Sequence, residues 1–380
     1  MIRSPRLRWT LVLLLLSTAV ALASESRTQS MGGTGLFMKD NSSVTLYPGS
    51  IIRYGNQIIT ELRTKGADNT FTAGAHLPMG DQAIFGAYLN RRLDLPVPGD
   101  PFALDLSRAT DLLLGVPIGD KSLGVRVTVG FAENTDTAID TLGTDLDEMA
   151  RYIEFAGGVS SPYYDFSAFF GLPLIERTVG DVTRKWSGTG FGVSGRFFLG
   201  PDEGLQYVPV VVLNNFSSTL ETGDVDIDRT FLEFRMAGGI NYTVDERNQV
   251  IFGLELFGIR QDESDTPGVG STEVRTTHLP AFYIGGETRP KSWLFLRLGA
   301  ASIYRETRTI SKPIGAPRDE VSRWENDFDV SVGLGILLGG FQLDLDINDR
   351  FLFQGPDFVS GQGGNEPGDF ANRLSLTYSF

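Results

Sequence analysis

The chain has 380 residues, a formal net charge of −14, 45 Gly, 26 Phe and no Cys. Without Cys there is no disulfide scaffold, thiolate zinc site or cysteine nucleophile, and two His leave little for a histidine metal site. The acidic balance argues against nucleic acid, and a mean hydropathy of −0.05 excludes a helical membrane protein of many spans, though not a β-barrel, whose strands alternate and average to neutral.

Residues 1–23 read as a secretory signal peptide. Arg3, Arg6 and Arg8 form a basic start, Trp9 to Leu16 an apolar run, and Ala21-Leu22-Ala23 a small-x-small cleavage site. Cleavage after Ala23 is expected, and no later stretch is apolar enough for a transmembrane helix.

Residues 24–50 are too irregular for a strand and too short for a domain. Residues 30–50 open Ser30-Met31-Gly32-Gly33-Thr34-Gly35, with Asp40 and Pro48 further on. The segment resembles the start of the FadL-type outer-membrane hydrophobic-compound transporters and of their PorV-like relatives in type IX secretion. Those families open Ser-Met-Gly-Gly-Ala-Gly, then an acidic step, then Trp-Asn-Pro-Ala-Gly. Here Tyr47 precedes the Pro and Gly49-Ser50 follow it. The resemblance implies that residues 24–50 fold inward as a plug, with Met31, Gly32, Gly33 and Gly35 in it. Glycine's tolerance of positive φ and close backbone packing suits that role.

Residues 51–380 read as the barrel. Leu123, Val125, Val127, Val129 and Phe131 alternate with Gly124, Arg126, Thr128 and Gly130. Phe341, Leu343, Leu345 and Ile347 alternate with Gln342, Asp344, Asp346 and Asn348, and 328–338 behaves in the same way. Short reversals stand near residues 78–81, 117–120, 161–162, 200–202, 245–248, 289–291 and 339–340. Between them lie long polar stretches at 92–108, 133–147, 173–186, 216–227, 261–272, 308–322 and 351–368, which read as external loops. Seven short turns imply fourteen strands, and one more at each end gives 16. The expected fold is all-β, one transmembrane antiparallel β-barrel of 16 strands, with 14 as the alternative, and a short plug.

The last strand puts Leu374, Leu376, Tyr378 and Phe380 on one face, which resembles the recognition signal read by the barrel-assembly machinery. That places the protein in a bacterial outer membrane, among its lipids.

Some lumen-type faces are apolar where a water-filled pore would be polar. Val208, Val210 and Val212 face inward if Tyr207, Val211 and Leu213 face lipid, and Trp293, Phe295 and Arg297 share a face. Phe169 and Phe257 lie on lumen-type faces too. These side chains either pack against the plug or form a pocket for an acyl or aromatic ligand. Arg126, Arg196, Arg235 and Arg297 face inward and can hold a carboxylate or pair with Glu233, Glu255 or Asp329. Asp224, Asp226 and Asp228 have calcium-loop spacing, but Arg229 and Arg235 stand where that loop needs Gly and Glu, so no metal is expected. Neither His76 nor His278 lies in a nucleophile motif and there is no Gly-x-Ser-x-Gly, so no enzyme activity and no cofactor are expected. The family resemblance implies passive uptake of hydrophobic small molecules such as fatty acids. The alternative is a PorV-like barrel that binds and hands on secreted proteins.

Overall fold

Segments that alternate apolar and polar residues pair edge to edge until the sheet closes on itself. The computed structural model describes residues 24–64, 70–80, 82–93, 108–136, 146–223, 225–347 and 371–380. The signal assigned to residues 1–23 lies outside the described residues.

The strands in chain order are β1 (Gln57–Arg63), β2 (Thr70–Met79), β3 (Ala83–Arg92), β4 (Arg108–Ile118), β5 (Lys121–Asp136), β6 (Leu146–Ser161), β7 (Tyr164–Val179) and β8 (Val182–Phe197). They continue with β9 (Gly204–Thr222), β10 (Val225–Asp245), β11 (Asn248–Thr266), β12 (Gly270–Lys291), β13 (Leu294–Pro313), β14 (Asp319–Leu338), β15 (Phe341–Ile347) and β16 (Ala371–Ser379). Each pairs antiparallel with its sequence neighbours, and β1 pairs with β16 from Gln57↔Ser379 to Arg63↔Arg373. The result is a closed 16-strand barrel, as the turn count implies. Closure pairs the backbone along the seam, which is what a strand needs in order to sit in hydrocarbon. Gly119 and Gly339 take φ of +63° and +61° in two of the short turns, a conformation open to glycine.

Four of the long polar stretches are wall rather than loop. Residues 173–186, 216–227, 261–272 and 308–322 lie in the strand ends of β7–β14 and the short turns between them. Strands β9 to β14 run 19–22 residues, whereas about 9–11 residues cross a bilayer. At about 3.3 Å per residue these strands run roughly 30 Å further along their own length. Above the hydrocarbon both faces of a strand can be polar, so polarity alone does not mark a loop. The stretches 92–108, 133–147 and 351–368 fall largely outside the described residues.

The outer face carries exposed Leu114, Val125, Phe155, Phe170, Phe191, Val211, Ile284 and Leu298. An apolar patch encircling a barrel suits hydrocarbon, not water. On β16, Leu374, Leu376 and Tyr378 point outward while Ser375 and Thr377 are fully buried inside; Tyr378 stacks on Phe341 with ring centroids 4.4 Å apart.

Residues 24–54 fill the lumen nearer its short-turn end. They form helix α1 (Glu25–Ser30) and three 3-10 segments, Thr34–Phe37, Asn41–Thr45 and Pro48–Tyr54. Ser24 caps α1 by accepting from the Arg27 N–H at 3.2 Å. The helical segment passes the boundary expected at residue 50 because Ile51 and Tyr54 are buried against Ile59, Tyr88 and Leu113 of the barrel.

Barrel glycines make the seat. A Cβ on Gly299 would lie 2.0 Å from the Gly32 nitrogen, and one on Gly124 would lie 2.2 Å from the Pro48 carbonyl. Gly239 and Gly253 receive the Phe37 ring, Gly285 receives Met31, and Gly333 receives Ser30. The plug backbone therefore touches the wall directly, at positions where no side chain fits.

Candidate functional site

Polar contacts tie the plug to the wall. Arg27 donates to Glu287 on β12 through two bonds of 2.9 Å and to Asp40 at 3.2 Å. Arg297 on β13 joins the same Glu287 at 2.6 Å to Asp344 on β15 at 2.7 Å, and Ser24 donates to Asp344 at 3.1 Å. Arg196 on β8 donates to the Met38 carbonyl at 2.8 Å, Asn241 on β10 to the Phe37 carbonyl at 2.7 Å, and Ser122 on β5 to the Gly49 carbonyl at 2.7 Å. Burial raises the Asp40 carboxyl, and Arg27 offsets this only in part.

Glu25 bridges the barrel seam by pairing with Arg63 on β1 and Arg373 on β16. Burial works to raise its carboxyl, but the Arg373 and Arg63 guanidiniums outweigh burial and bring it down to about 2. A depressed carboxylate contributes stability above its unfolded value of 4.5 and loses it as pH falls through about 2. Amide hydrogen exchange of residues 26–31 should therefore show no loss of protection between pH 7 and pH 4.5. Exposure of α1 by pH 4 would show that Glu25 is not held by these arginines.

Beyond the plug, toward the far rim, the lumen wall is apolar over β4 to β9. Tyr152, Ile175, Trp186, Phe216 and Leu220 are buried in one cluster with Leu93, Ala109 and Ala150. Ile175, Trp186 and Leu220 are direct cross-strand neighbours, and Phe231 on β10 stands opposite Phe216. Sequence reading missed this cluster, although Phe216/Ser218/Leu220 alternates cleanly with Ser217/Thr219/Glu221. Over this stretch of β9 the apolar side faces in and the polar side, ending in Glu221, faces out.

Facing that wall is a polar cavity of about 470 Å³, lined by Glu233, Arg235, Glu255, Arg260, His278 and Arg305 together with Thr276 and Thr307. Glu255 is fully buried and accepts from Arg235 at 2.5 and 2.9 Å, with His278 Nδ1 3.1 Å away. Arg305 pairs with Asp327 at 2.7 Å, and among the described residues its Nε has no partner. Arg260 lies over the Phe231 ring at 4.8 Å, and among the described residues no carboxylate pairs with it. The outer lumen is thus amphipathic, with Phe231 and Arg260 at the join.

The residues expected to line a pocket are scattered. Val208, Val210 and Val212 face inward but are buried in a cluster with Met31, Phe37 and Met38, so they seat the plug. Phe169 faces the lumen, half-buried over Gly192. Phe257 does not: an extra residue at Leu256 shifts the register, and Phe257 pairs with outward-facing Met236 on the lipid side. Trp293 lies in the turn between β12 and β13 and is exposed. Phe295 lies below the plug, with Arg289 over its ring at 4.9 Å and Arg297 at 5.5 Å. The interior arginines pair internally: Arg126 with Glu154, Arg196 with Asp165, Arg235 with Glu255 and Arg297 with Asp344. Of the three acids expected as partners, only Glu255 pairs with one of them; Asp329 is exposed on β14. His76 sits in the interior between the Tyr54 carbonyl at 2.7 Å and the Tyr88 hydroxyl at 2.8 Å. Met31 and Gly32 lie in the plug seat, Gly33 takes φ of +74°, and Gly35 packs on Thr28.

No protein-family model matches the chain, and no curated protein does. Among solved structures the chain is similar to the toluene transporter TodX of Pseudomonas putida, at 11% identity over 94% of this chain and 96% of that one, with a TM-score of 0.37. It is similar to the CymD monoaromatic hydrocarbon channel, at 11% identity over 95% and 98% of the two chains and a TM-score of 0.40. The toluene transporter TbuX of Ralstonia pickettii gives 9% identity over 94% and 98%, with a TM-score of 0.40. All three are named for apolar small molecules.

Proposed function

We propose that the chain is an outer-membrane channel for passive uptake of hydrophobic small molecules, with fatty acids as the representative cargo. The supporting observation is the apolar wall of Ile175, Trp186, Phe216 and Leu220 in the outer lumen, above a fitted plug. An aqueous pore has no use for such a wall. An acyl or aromatic body lies against it, and a carboxylate head is met by Arg260 and Arg305 in the adjoining cavity. No energy source is needed, because the cargo runs down its gradient. The plug is clamped by glycines over β3–β6 and β10–β14, while a cleft of about 70 Å³ lies between its residues 24–25 and 41–45 and the wall at Ile59, Thr72, Gly74 and Tyr88. Release requires that cleft to widen.

The alternative, a barrel that grips secreted proteins, places its specificity in long external loops. Four of the stretches read as loops are strand, which removes much of that loop surface.

Proteoliposomes carrying the protein should take up labelled fatty acid faster than empty ones. Leu220→Asp sets an unpaired charge in the apolar cluster and should lower the added rate by roughly tenfold while the barrel still shows its heat-modifiable band. Equal uptake with and without protein would remove the proposal.

A further inference from the structure

We infer that the outer lumen contains a binding site for an uncharged carbonyl or ether oxygen, with the Trp186 indole N–H as its donor; because the site lies inside the lumen, it rests on the channel reading. Trp186 is 0% exposed, yet among the described residues its Nε1 has no hydrogen-bond partner. Its cross-strand neighbours Ile175 and Leu220 offer only carbon at their side chains. The Tyr152 hydroxyl of the same cluster donates to Glu154 at 2.5 Å and makes no bond to the indole.

A buried donor left unmatched is rare in folded chains, because it forfeits its bond to water and gains nothing. Phenylalanine would fill much of this space and strand no donor. The indole is matched only when something that enters the lumen brings an acceptor. Water is a poor match, since an enclosed water needs two or more polar partners and the side chains on either side of the indole, Ile175 and Leu220, are carbon. A carboxylate is a poor match as well, because the side chains directly beside the indole, Ile175 and Leu220, are apolar, and the cations of that face, Arg177 and Arg184, stand one cross-strand pair further toward the far rim. What remains is a neutral oxygen on an apolar body, such as a ketone, aldehyde, ester or aromatic ether. Leu220 lies four residues nearer the far rim than Phe216, so cargo passes Trp186 before it reaches the Phe231–Arg260 join. The channel then reads two features in turn, a neutral oxygen at Trp186 and an anionic head at the polar cavity.

The probe pair is 2-nonanone and nonane, which share a chain and differ by one carbonyl. In detergent micelles the ¹⁵N–¹H indole signal of Trp186 is the one missing from W186F. If W186F does not fold, the signal is assigned by elimination with Trp293→Phe and Trp324→Phe. The ketone should move this signal downfield and bind about fivefold tighter than nonane, the effect of one added hydrogen bond. In W186F the two should bind equally. A Trp186 signal indifferent to saturating ketone, or a W186F variant that keeps the ketone preference, would overturn the site. Proteoliposome uptake, run alongside, separates the two readings. A shifted signal without uptake leaves the site standing and removes the channel, and uptake without the shift removes the site alone.

Discussion

Gly299→Leu should dislodge the plug from an otherwise folded barrel and turn a closed lumen into an ion-conducting one. The position faces inward on β13, where an added Cβ would lie 2.0 Å from the Gly32 nitrogen, 2.2 Å from the Met31 carbonyl carbon and 2.7 Å from the Gly32 Cα. All three are backbone atoms, so no rotamer change makes room. Gly32 cannot retreat cheaply either, because its N–H donates to Ser331 at 2.9 Å and its φ is +71°. Overpacking of this kind costs about 1–3 kcal/mol where side chains give way, and more where they cannot. The barrel has its own ladder on both edges of β13 and should keep its heat-modifiable band. Planar-bilayer recordings should then show a conductance that the wild type lacks, and amides 26–33 should lose exchange protection. Gly286→Leu is the control: its Cβ would meet nothing nearer than the Gln249 carbonyl at 3.9 Å, and it should behave as wild type. If Gly299→Leu conducts no better than Gly286→Leu, the glycine seat is not what holds the plug.

The glycine seat also shows where the sequence is readable and where it is not. Strand number follows from turn chemistry, which is local: Gly119 and Gly339 announce reversals whatever surrounds them. The plug is legible only through the resemblance carried by residues 30–50, and the positive φ of Gly32 and Gly33 is consistent with it. The ligand wall is not legible, because its meaning depends on height above the bilayer. Val211 and Phe216 lie on one strand, yet Val211 is apolar toward lipid and Phe216 is apolar toward the lumen. The pattern inverts where hydrocarbon ends, and period-2 reading has no signal for that height. Phe257 fails for a different reason. Inserting Leu256 as an extra residue turns the following side chains over, and a bulge is a property of two strands rather than one. Val210 fails for a third: alternation places it inward, but only the fold of residues 31–38 decides that plug, and not cargo, covers it.

Arg196→Met should give the largest loss of plug docking of any single side-chain change in the barrel wall. Arg196 is fully buried and extends from β8 into the plug. Its Nε donates to Asp165 at 2.9 Å, Nη1 to the Met38 carbonyl at 2.8 Å and the Gly35 carbonyl at 3.2 Å, and Nη2 to Ser43 Oγ at 3.0 Å. Its guanidinium lies 4.4 Å from the Tyr47 ring centroid and 5.1 Å from that of Phe198. One side chain thus satisfies the bend between the first two 3-10 segments and the Asp165 carboxylate together. Methionine keeps most of the volume and none of the donors, leaving Asp165 with Arg53 as its remaining cation, at 2.9 Å. Removing one partner of a buried pair costs about 3–5 kcal/mol when the other charge is left uncompensated, and because Arg53 stays on Asp165 the low end, about 3 kcal/mol, is expected here. Exchange protection of residues 35–43 should fall by that amount while the strand amides of β8 keep theirs. Arg196→Lys should rescue little, since a single ammonium cannot reproduce a fork aimed at a carboxylate and two carbonyls. Adding Asp165→Asn to Arg196→Met should recover part of the loss, because the stranded charge goes with it, and the carbonyls of Gly35 and Met38 should keep the remainder unrecovered. Full recovery would mean that Arg196 serves Asp165 alone, and no recovery would mean that its whole role is to hold the plug backbone.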